Sequence, residues 1–270
     1  MKAVRFIVLS LTVLFGGIYL LYVSYIYFNQ EEMVFIHSKL DKNYEFDFDN
    51  DFEEIQIQSF DNTKLHGLLF KTVNAKGLVF FLHGNAGALD SWGKIANIYT
   101  NLGYDIFMLD YRGFGKSEGK IEDSQQVLND VDVAYQNISK RYSQKNKIVL
   151  GYSIGTGPAA YLASKYNPNQ LILLAPYYNF SELAKERVPF FPDFLKKFDF
   201  PTNTYIKKTT SNVFIFHGNE DHVIVVENAR KLQKLLKPND KIFFLDDQGH
   251  LGMNDNEVYK KELELLLAKD

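Results

Sequence analysis

Cysteine does not occur in this chain of 270 residues. Its absence excludes disulfide bonds, metal sites with thiolate ligands and a thiol nucleophile. A surplus of positive charge is also lacking, because 30 lysines and arginines face 33 acidic residues and leave a net charge of −3. Without a basic stripe, nucleic acid is not an expected partner. Internal repeats and low-complexity tracts are absent too, and the 46% of hydrophobic residues suffice for one sizeable core.

The longest apolar run covers residues 6–28 and carries no charge. As a helix it would be about 34 Å long, against a hydrocarbon core of about 30 Å. Tyrosines cluster toward its C-terminal half, where an interfacial belt is expected: Tyr19, Tyr22, Tyr25 and Tyr27. A secretory signal would have a shorter apolar core and a cleavage site with small residues, and no such site is seen here. The run therefore predicts an uncleaved transmembrane signal anchor.

Charges on either side of this run predict its orientation. Lys2 and Arg5 precede it, whereas Glu31 and Glu32 follow it. The positive-inside bias favours a cytoplasmic N-terminus and an extracytoplasmic location for the part of the chain that follows the run. We expect an anchor over residues 1–30, then a linker rich in Asp, Asn and Glu over 31–52, then one globular domain over 53–270.

Strand and helix patterns alternate through the rest of the chain. Residues 54–58 alternate with a period of two, and 65–71 is expected to be the hairpin partner. Residues 77–82 are continuously apolar, as in a strand buried on both faces. Further strands are predicted at 106–109, 147–150, 171–174, 213–216 and 242–245, and helices at 91–102, 123–139, 156–163, 227–236 and 257–268. This pattern predicts the α/β class, with a mostly parallel eight-stranded sheet and helices on both faces.

A serine stands between two glycines in the segment Gly151-Tyr152-Ser153-Ile154-Gly155. A buried strand precedes this segment and a helix of small residues follows it. A strand-to-helix turn of this kind holds a serine oxygen out at the edge of the sheet, and glycines avoid clashes at the sharp turn. Ser117 also matches G-x-S-x-G, but a loop precedes it and charged residues follow it. We therefore predict that Ser153 is the nucleophile.

A serine nucleophile needs a base within hydrogen-bond reach and an acid that orients the base. His250 follows the last strand in a loop that reaches the edge of the sheet, and we predict it as the base, with His222 as the weaker candidate. Asp221 follows the strand at 213–216 and is predicted as the acid, with its neighbour Glu220 as the main rival. The chain order is then Ser153, Asp221, His250.

An oxyanion hole needs backbone N–H groups aimed at the developing charge. One donor is expected to be the amide of Ile154, directly after the nucleophile. The other is expected in the glycine-rich loop after the strand at 77–82, where we predict the amide of Asn85, with Ala86 as the alternative. The simpler interpretation of that loop is an ordinary turn.

In combination these motifs resemble the α/β-hydrolase superfamily from about residue 53 onward. The motifs, in chain order, are His83-Gly84-Asn85-Ala86-Gly87, Asp110-Tyr111-Arg112-Gly113-Phe114-Gly115-Lys116-Ser117, the serine turn, His217-Gly218-Asn219-Glu220-Asp221 and Gly249-His250. The chain resembles most the single-pass, membrane-anchored serine hydrolases, a subgroup with lysophospholipases and protein depalmitoylases. The resemblance implies that Arg112 and Ser117 brace the loop beside the site. The palmitoylated cysteine cluster of the depalmitoylases is missing, which argues against their mode of membrane targeting.

An insertion at about 177–211 is rich in Phe and Tyr, and in this fold it would cap the site. Its aromatic side chains either line an acyl-chain pocket, dip toward the bilayer, or form a small core of the cap itself.

We expect a membrane-anchored serine hydrolase that cleaves esters or thioesters of lipid-like acyl substrates. It needs no metal or other cofactor, and the domain is expected to stay active when residues 1–30 are removed. A serine peptidase or amidase with the same triad is the alternative, in which Glu182 or Glu186 would hold a substrate amine. A non-catalytic binding protein on this scaffold is a third possibility.

Overall fold

Buried apolar strands in the middle of the chain assemble into one large sheet. The protein is described by a computed structural model that covers residues 1–268. The strands are β1 (Ile36–His37), β2 (Phe52–Gln58), β3 (Lys64–Phe70), β4 (Gly77–Leu82), β5 (Ala86–Gly87), β6 (Tyr104–Asp110), β7 (Asn146–Tyr152), β8 (Gln170–Leu174), β9 (Asn212–Gly218) and β10 (Lys241–Leu245). The helices are α1 (Lys2–Val34), α2 (Leu89–Trp92), α3 (Ala96–Thr100), α4 (Ser124–Ser139), α5 (Thr156–Tyr166), α6 (Phe180–Arg187), α7 (Thr202–Lys208), α8 (Glu227–Gln233) and α9 (Glu257–Leu267).

The large sheet has the strand order β10-β9-β8-β7-β4-β6-β3-β2 within the described part of the chain. β3 runs antiparallel to both of its neighbours, β2 and β6, and the other neighbouring strands are parallel. The predicted fold class, a mostly parallel eight-stranded sheet, is therefore confirmed. In such a sheet, ligands bind beside the C-terminal ends of the parallel strands.

Two apolar layers cover the sheet, one on each face. The central strand β4 contributes Leu78, Phe80 and Leu82 to the layer that holds α4 and α5. It contributes Val79 and Phe81 to the opposite layer, which holds α3 and α9. Because both faces of β4 are covered, its sequence is continuously apolar instead of alternating.

Helix α1 is longer than the apolar run from which it was predicted. Its first part, residues 2–21, is exposed throughout and is about 30 Å long at the helical rise of 1.5 Å per residue. An 18-residue window of the helix has a mean hydropathy of 2.3. Beyond residue 21 the helix contacts the catalytic domain and buries Ile26 and Gln30.

The charged end of α1 is held by the catalytic domain. Glu31 forms an ion pair with Lys120 at 3.0 Å, lies 3.2 Å from Nε2 of His37, and accepts a hydrogen bond from the backbone N–H of Ile121. These partners let the helix continue to Val34, although the charge at positions 31 and 32 had predicted a linker there.

The segment predicted as a linker over 31–52 lies against the domain. Phe35 is buried and its ring centroid lies 5.3 Å from that of Phe198. Phe48 packs against Phe70 of β3, and it occupies the space that a side chain at Gly93 would need. The predicted domain end at residue 270 lies outside the described residues.

The insertion between β8 and β9 contains α6, a 3₁₀ turn at Asp193–Leu195 and α7, which packs on α5. It divides its aromatic residues among three environments. Phe200 lies in the main core against Gly157 of α5, and Phe191 and Phe180 line a cavity. Phe190 and Phe194 are exposed by 87% and 86%.

Candidate active site

Ser153 lies on a sharp turn between β7 and α5. Its backbone has φ of 53°, in the left-handed region that is uncommon for residues other than glycine. The chain folds back so closely that a Cβ on Gly151 would lie 2.5 Å from the carbonyl oxygen of Gly155. A Cβ on Gly155 would collide with the carbonyl oxygens of Leu82 and His83 in the neighbouring strand. The glycines at both positions are thus required by close backbone approach.

The structure brings Ser153, His250 and Asp221 together in one hydrogen-bonded chain. The Oγ of Ser153 lies 2.9 Å from Nε2 of His250, and Nδ1 of His250 lies 2.7 Å from Oδ2 of Asp221. The carboxylate can only accept, so Nδ1 carries the proton and Nε2 is left to accept from the serine hydroxyl. This is the arrangement that activates a serine for nucleophilic attack.

The carboxylate of Asp221 is buried and fully engaged. Its Oδ1 accepts hydrogen bonds from the backbone N–H groups of Val223 and Ile224, both at 2.8 Å. Burial alone raises the pKa of Asp221, but the hydrogen bonds from His250 and Ile224 and the nearby imidazole charge outweigh it, and the pKa ends below its usual value. The acid is therefore ionised at neutral pH.

The alternative candidates for the acid, the base and the nucleophile lie outside this hydrogen-bonded chain. Glu220 and His222 are exposed on either side of Asp221. Ser117 is buried elsewhere, where its hydroxyl donates to the backbone carbonyl of Asp110 at 2.7 Å and accepts from the N–H of His66 at 2.8 Å. The second serine motif therefore braces a loop, as the family resemblance implied.

Arg112 also acts as a brace. Its guanidinium contacts Asp130 through Nε at 2.5 Å and through a second nitrogen at 2.8 Å, and it binds Asp61 on its other side. Arg112 and Asp130 are both buried, and Asp130 also accepts from the hydroxyl of Ser59. The cluster fixes the loop after β6 to the start of the domain.

Two further histidines near the site are buried and support it. His217 donates from Nε2 to the carbonyl oxygen of Ile224 at 2.7 Å, and His83 contacts the carbonyl oxygen of Gly84 at 2.7 Å. Burial lowers the pKa of both imidazoles below the usual value of 6.5, so both are neutral. His217 thereby holds the turn that presents the amides to Asp221.

The loop predicted to supply an oxyanion donor lies beside Ser153. Asn85 and Ile154 line the same cavity as the serine. The side chain of Asn85 accepts a hydrogen bond from the backbone N–H of Ile36 at 2.9 Å, and the alternative donor Ala86 pairs with Ile36 in the short β1–β5 sheet. Contacts from the segment after α1 therefore hold this loop in place.

A largely apolar cavity of about 210 Å³ opens from Ser153. Side chains of the cap form part of its wall, among them Phe180, Leu183 and Phe191. The end of α1 forms another part, with residues spaced as one helical face: Ile26, Gln30, Met33 and Val34. A cavity with this lining suits an apolar chain attached to a carbonyl group at Ser153.

The four residues of α1 were missed when the site was predicted from sequence. Their spacing of four, three and one places them on a single face of the helix. No sequence signal marked this contact, because Gln30 lies among other polar residues beyond the apolar run and only its burial in the fold makes a protein partner necessary. Gln30 donates to the carbonyl oxygen of Leu195 at 3.0 Å and accepts from the N–H of Lys197 at 2.8 Å.

A serine turn at the C-terminal edge of this mostly parallel sheet is the architecture of the α/β hydrolases. A sequence profile described as serine aminopeptidase, S33, matches residues 73–212, and the chain belongs to this hydrolase family. Among residues 1–268, no group of three or more His, Cys, Asp and Glu residues is placed to hold a metal ion.

Similar proteins support the same assignment. The chain is 35% identical over 202 residues to the human alpha/beta hydrolase domain-containing protein 17B, and the aligned part covers 72% of this chain and 66% of that protein. It is 36% identical over 197 residues to the mouse protein 17C, covering 70% of this chain and 58% of the relative. The chain thus spans somewhat less than two thirds of these relatives. An esterase of Pyrococcus furiosus shares the fold with a TM-score of 0.68 and 19% identity, over 86% of this chain and 98% of the esterase.

Proposed function

We propose that this protein is a membrane-anchored serine hydrolase that cleaves ester or thioester bonds of lipid-like acyl substrates. The observation that carries the proposal is the continuous hydrogen-bonded chain from Ser153 through His250 to Asp221, which opens on an apolar cavity. The chain supplies the nucleophile and the cavity accommodates the acyl group.

In the proposed reaction, Ser153 Oγ attacks the acyl carbonyl carbon while Nε2 of His250 takes the hydroxyl proton. Asp221 stabilises the resulting imidazolium through its contact with Nδ1. The carbonyl oxygen becomes an oxyanion, which accepts hydrogen bonds from the backbone N–H groups of Ile154 and Asn85. His250 then returns the proton to the departing alcohol or thiol.

Deacylation repeats these steps with water as the nucleophile. His250 takes a proton from water, the hydroxide attacks the acyl-enzyme carbonyl, and the proton passes to Oγ as the fatty acid leaves. Every proton in this cycle moves through one imidazole, so the reaction requires only residues of the chain and water.

The membrane part of the proposal rests on α1. Its uncharged run at residues 6–28 is long enough to cross the hydrocarbon core of a bilayer, and Lys2 and Arg5 before that run favour a cytoplasmic N-terminus with the catalytic domain outside the cytoplasm. The apolar lining of the cavity is consistent with acyl chains as substrates.

A peptidase or amidase function is the second candidate, because the matching family profile is described as a serine aminopeptidase. Such an enzyme needs an acidic side chain in the cavity to hold the substrate amine. Glu182, which was considered for this role, forms an ion pair with Lys231 at 3.0 Å on the surface of the cap. Neither Glu182 nor Glu186 lines the cavity, so the structure favours the esterase proposal.

A fluorophosphonate probe tests the nucleophile directly. The full chain is expressed in membranes as wild type, Ser153→Ala and Ser117→Ala, and the labelled protein is quantified. We expect Ser153→Ala to abolish labelling, and Ser117→Ala to retain labelling in proportion to the folded protein. An unlabelled but folded wild type would exclude an activated serine and would favour the binding-protein alternative.

A further inference from the structure

The cap contacts α1 at the level where the helix leaves its exposed stretch. The hydroxyl of Tyr22 donates to the carbonyl oxygen of Pro189 at 2.6 Å, and the hydroxyl of Tyr19 donates to the carbonyl oxygen of Phe190 at 3.0 Å. One helical turn further on, Ile26 lines the cavity of Ser153. The cap tip, residues 188–195, is therefore hydrogen-bonded to the same part of α1 that borders the substrate cavity.

The position of this contact relative to a bilayer follows from the length of the helix. Residues 6–21 are exposed and uncharged and are about 24 Å long, which covers most of the thickness of a bilayer's hydrocarbon core. Tyr19 lies two residues before the end of this stretch, or about 3 Å along the helix axis. In a bilayer that α1 spans, the backbone of Phe190 would consequently lie near the boundary between the acyl chains and the headgroups.

Two phenylalanine side chains project from this part of the cap. Phe190 and Phe194 are exposed by 87% and 86%, and neither lines the substrate cavity. Phe190 has φ of 63°, a strained backbone conformation for a bulky residue. The tyrosine hydrogen bond at its carbonyl oxygen fixes this turn, and the ring is held away from the protein surface.

Asp193, the one charged residue within residues 188–195, is paired. Asp193, between the two phenylalanines, contacts Lys185 at 2.6 Å and Lys196 at 2.8 Å. Pairing lowers the cost of bringing these groups to a membrane surface, where isolated charges would be unfavourable near acyl chains. Paired charges around projecting aromatic side chains fit the headgroup region better than the hydrocarbon core.

We propose that the cap tip, defined as residues 188–195 with Phe190 and Phe194, inserts into the acyl–headgroup boundary of the bilayer that α1 spans. The ligand of this surface is lipid, and the insertion places the substrate cavity beside lipids of the same leaflet. Acyl chains then pass from that leaflet into the cavity along the face of α1 that carries Ile26 and Gln30. This inference rests on the proposed function for its substrate and on the anchor for its position.

The lack of native cysteine allows a clean test. Single cysteines are introduced into the full chain as Phe190→Cys, Phe194→Cys, Val13→Cys and Val73→Cys and labelled with an environment-sensitive nitrobenzoxadiazole group. Val73 is 87% exposed on the loop between β3 and β4, at the edge of the sheet opposite the site. The proteins are reconstituted into phosphatidylcholine vesicles that contain lipids with a doxyl quencher either high on the acyl chain, for positions 190 and 194, or near the end of the acyl chain, for position 13.

We expect quenching at positions 190 and 194 to exceed quenching at position 73 at least severalfold, with blue-shifted emission. The label at position 13 reports the anchor itself. Quenching at 13 without quenching at 190 and 194 would overturn the insertion of the cap and leave the anchor in place. No quenching at 13 would overturn the anchor and, with it, this inference.

An activity measurement separates the cap tip from the chemistry of the site. The double variant Phe190→Ser/Phe194→Ser should hydrolyse a long-chain ester embedded in vesicles about tenfold more slowly, since it loses apolar contact with the bilayer. Its rate on a soluble butyrate ester should equal that of wild type and of the control Val73→Ser. Equal rates of the double variant and wild type on the embedded ester would contradict the inference, whereas no activity of wild type on either ester would contradict the proposed function.

Discussion

Replacing Asp221 by asparagine gives the sharpest test of how the site works. One carboxylate oxygen accepts from the N–H groups of Val223 and Ile224, and the other faces Nδ1 of His250. An asparagine side chain has one accepting oxygen and one NH₂ group. The two backbone donors select the oxygen, so the NH₂ group must point at His250.

The NH₂ group then donates to Nδ1 and drives the imidazole into the tautomer that carries its proton on Nε2. In that tautomer Nε2 cannot accept the proton of Ser153, although every side chain keeps its position. We expect kcat to fall by about 10⁴, the usual effect of the wrong tautomer in such a triad, which corresponds to about 5.5 kcal/mol. Folding should change little, because the backbone hydrogen bonds to Oδ1 are kept.

The assay is steady-state hydrolysis of a soluble butyrate ester by the full chain in detergent, with the melting temperature measured in parallel. Glu220→Gln is the matched control, because this neighbour is exposed and outside the chain of hydrogen bonds. The assignment is refuted if Asp221→Asn retains kcat within tenfold of wild type while Glu220→Gln loses several orders of magnitude. Ser153→Ala should cost more than Asp221→Asn.

Three other outcomes are expected. Arg112→Ala should lower the free energy of unfolding by about 3 to 5 kcal/mol, because it leaves the buried carboxylate of Asp130 without its cation. The folded pKa of His217 lies below its ordinary value of 6.5, so the unfolded chain binds a proton there first and stability falls as pH drops below about 6.5. His217→Gln should reduce this slope by up to about 1.4 kcal/mol per pH unit. Ile26→Trp should shift the preferred acyl chain to shorter lengths in a series of p-nitrophenyl esters, because the larger ring fills part of the cavity.

Each of these outcomes has its own control. Arg112→Ala/Asp130→Ala should recover part of the stability that Arg112→Ala loses, and no recovery would contradict the buried-charge argument. His222→Gln is the comparison for the pH dependence, because this side chain is exposed, and an equal effect of both variants would refute the assignment to His217. An unchanged chain-length profile of Ile26→Trp would mean that α1 does not contact the acyl chain.

The sheet and the serine turn were predictable because local sequence and tertiary role coincide there. β4 is apolar without interruption since both of its faces are covered, and the glycines around Ser153 are required by backbone contact. The grouping of Ser153, Asp221 and His250 followed from a general rule, that residues after parallel strands meet at one edge of the sheet.

The role of α1 could not be predicted in the same way. Over residues 22–28 the helix is aromatic or aliphatic at every position except Ser24, so no periodicity separates the side that faces lipid from the side that faces protein. The cap presents a similar difficulty, since Phe190 is 87% exposed and its neighbour Phe191 only 4%. Both positions are phenylalanine, and the direction of each ring depends on the left-handed backbone conformation of Phe190.

The continuity of α1 from its exposed stretch to the wall of the cavity has a consequence for proteolytic shedding. A cut between residues 27 and 30 would release a domain with Ser153, Asp221 and His250 untouched but with a cavity missing the side formed by Ile26. Such a shed form would remain reactive toward small soluble esters and lose its selectivity for long acyl chains. On the proposed function, α1 would thus contribute to substrate specificity as well as to anchoring, and exchanging it for an unrelated membrane segment would change the preferred substrates.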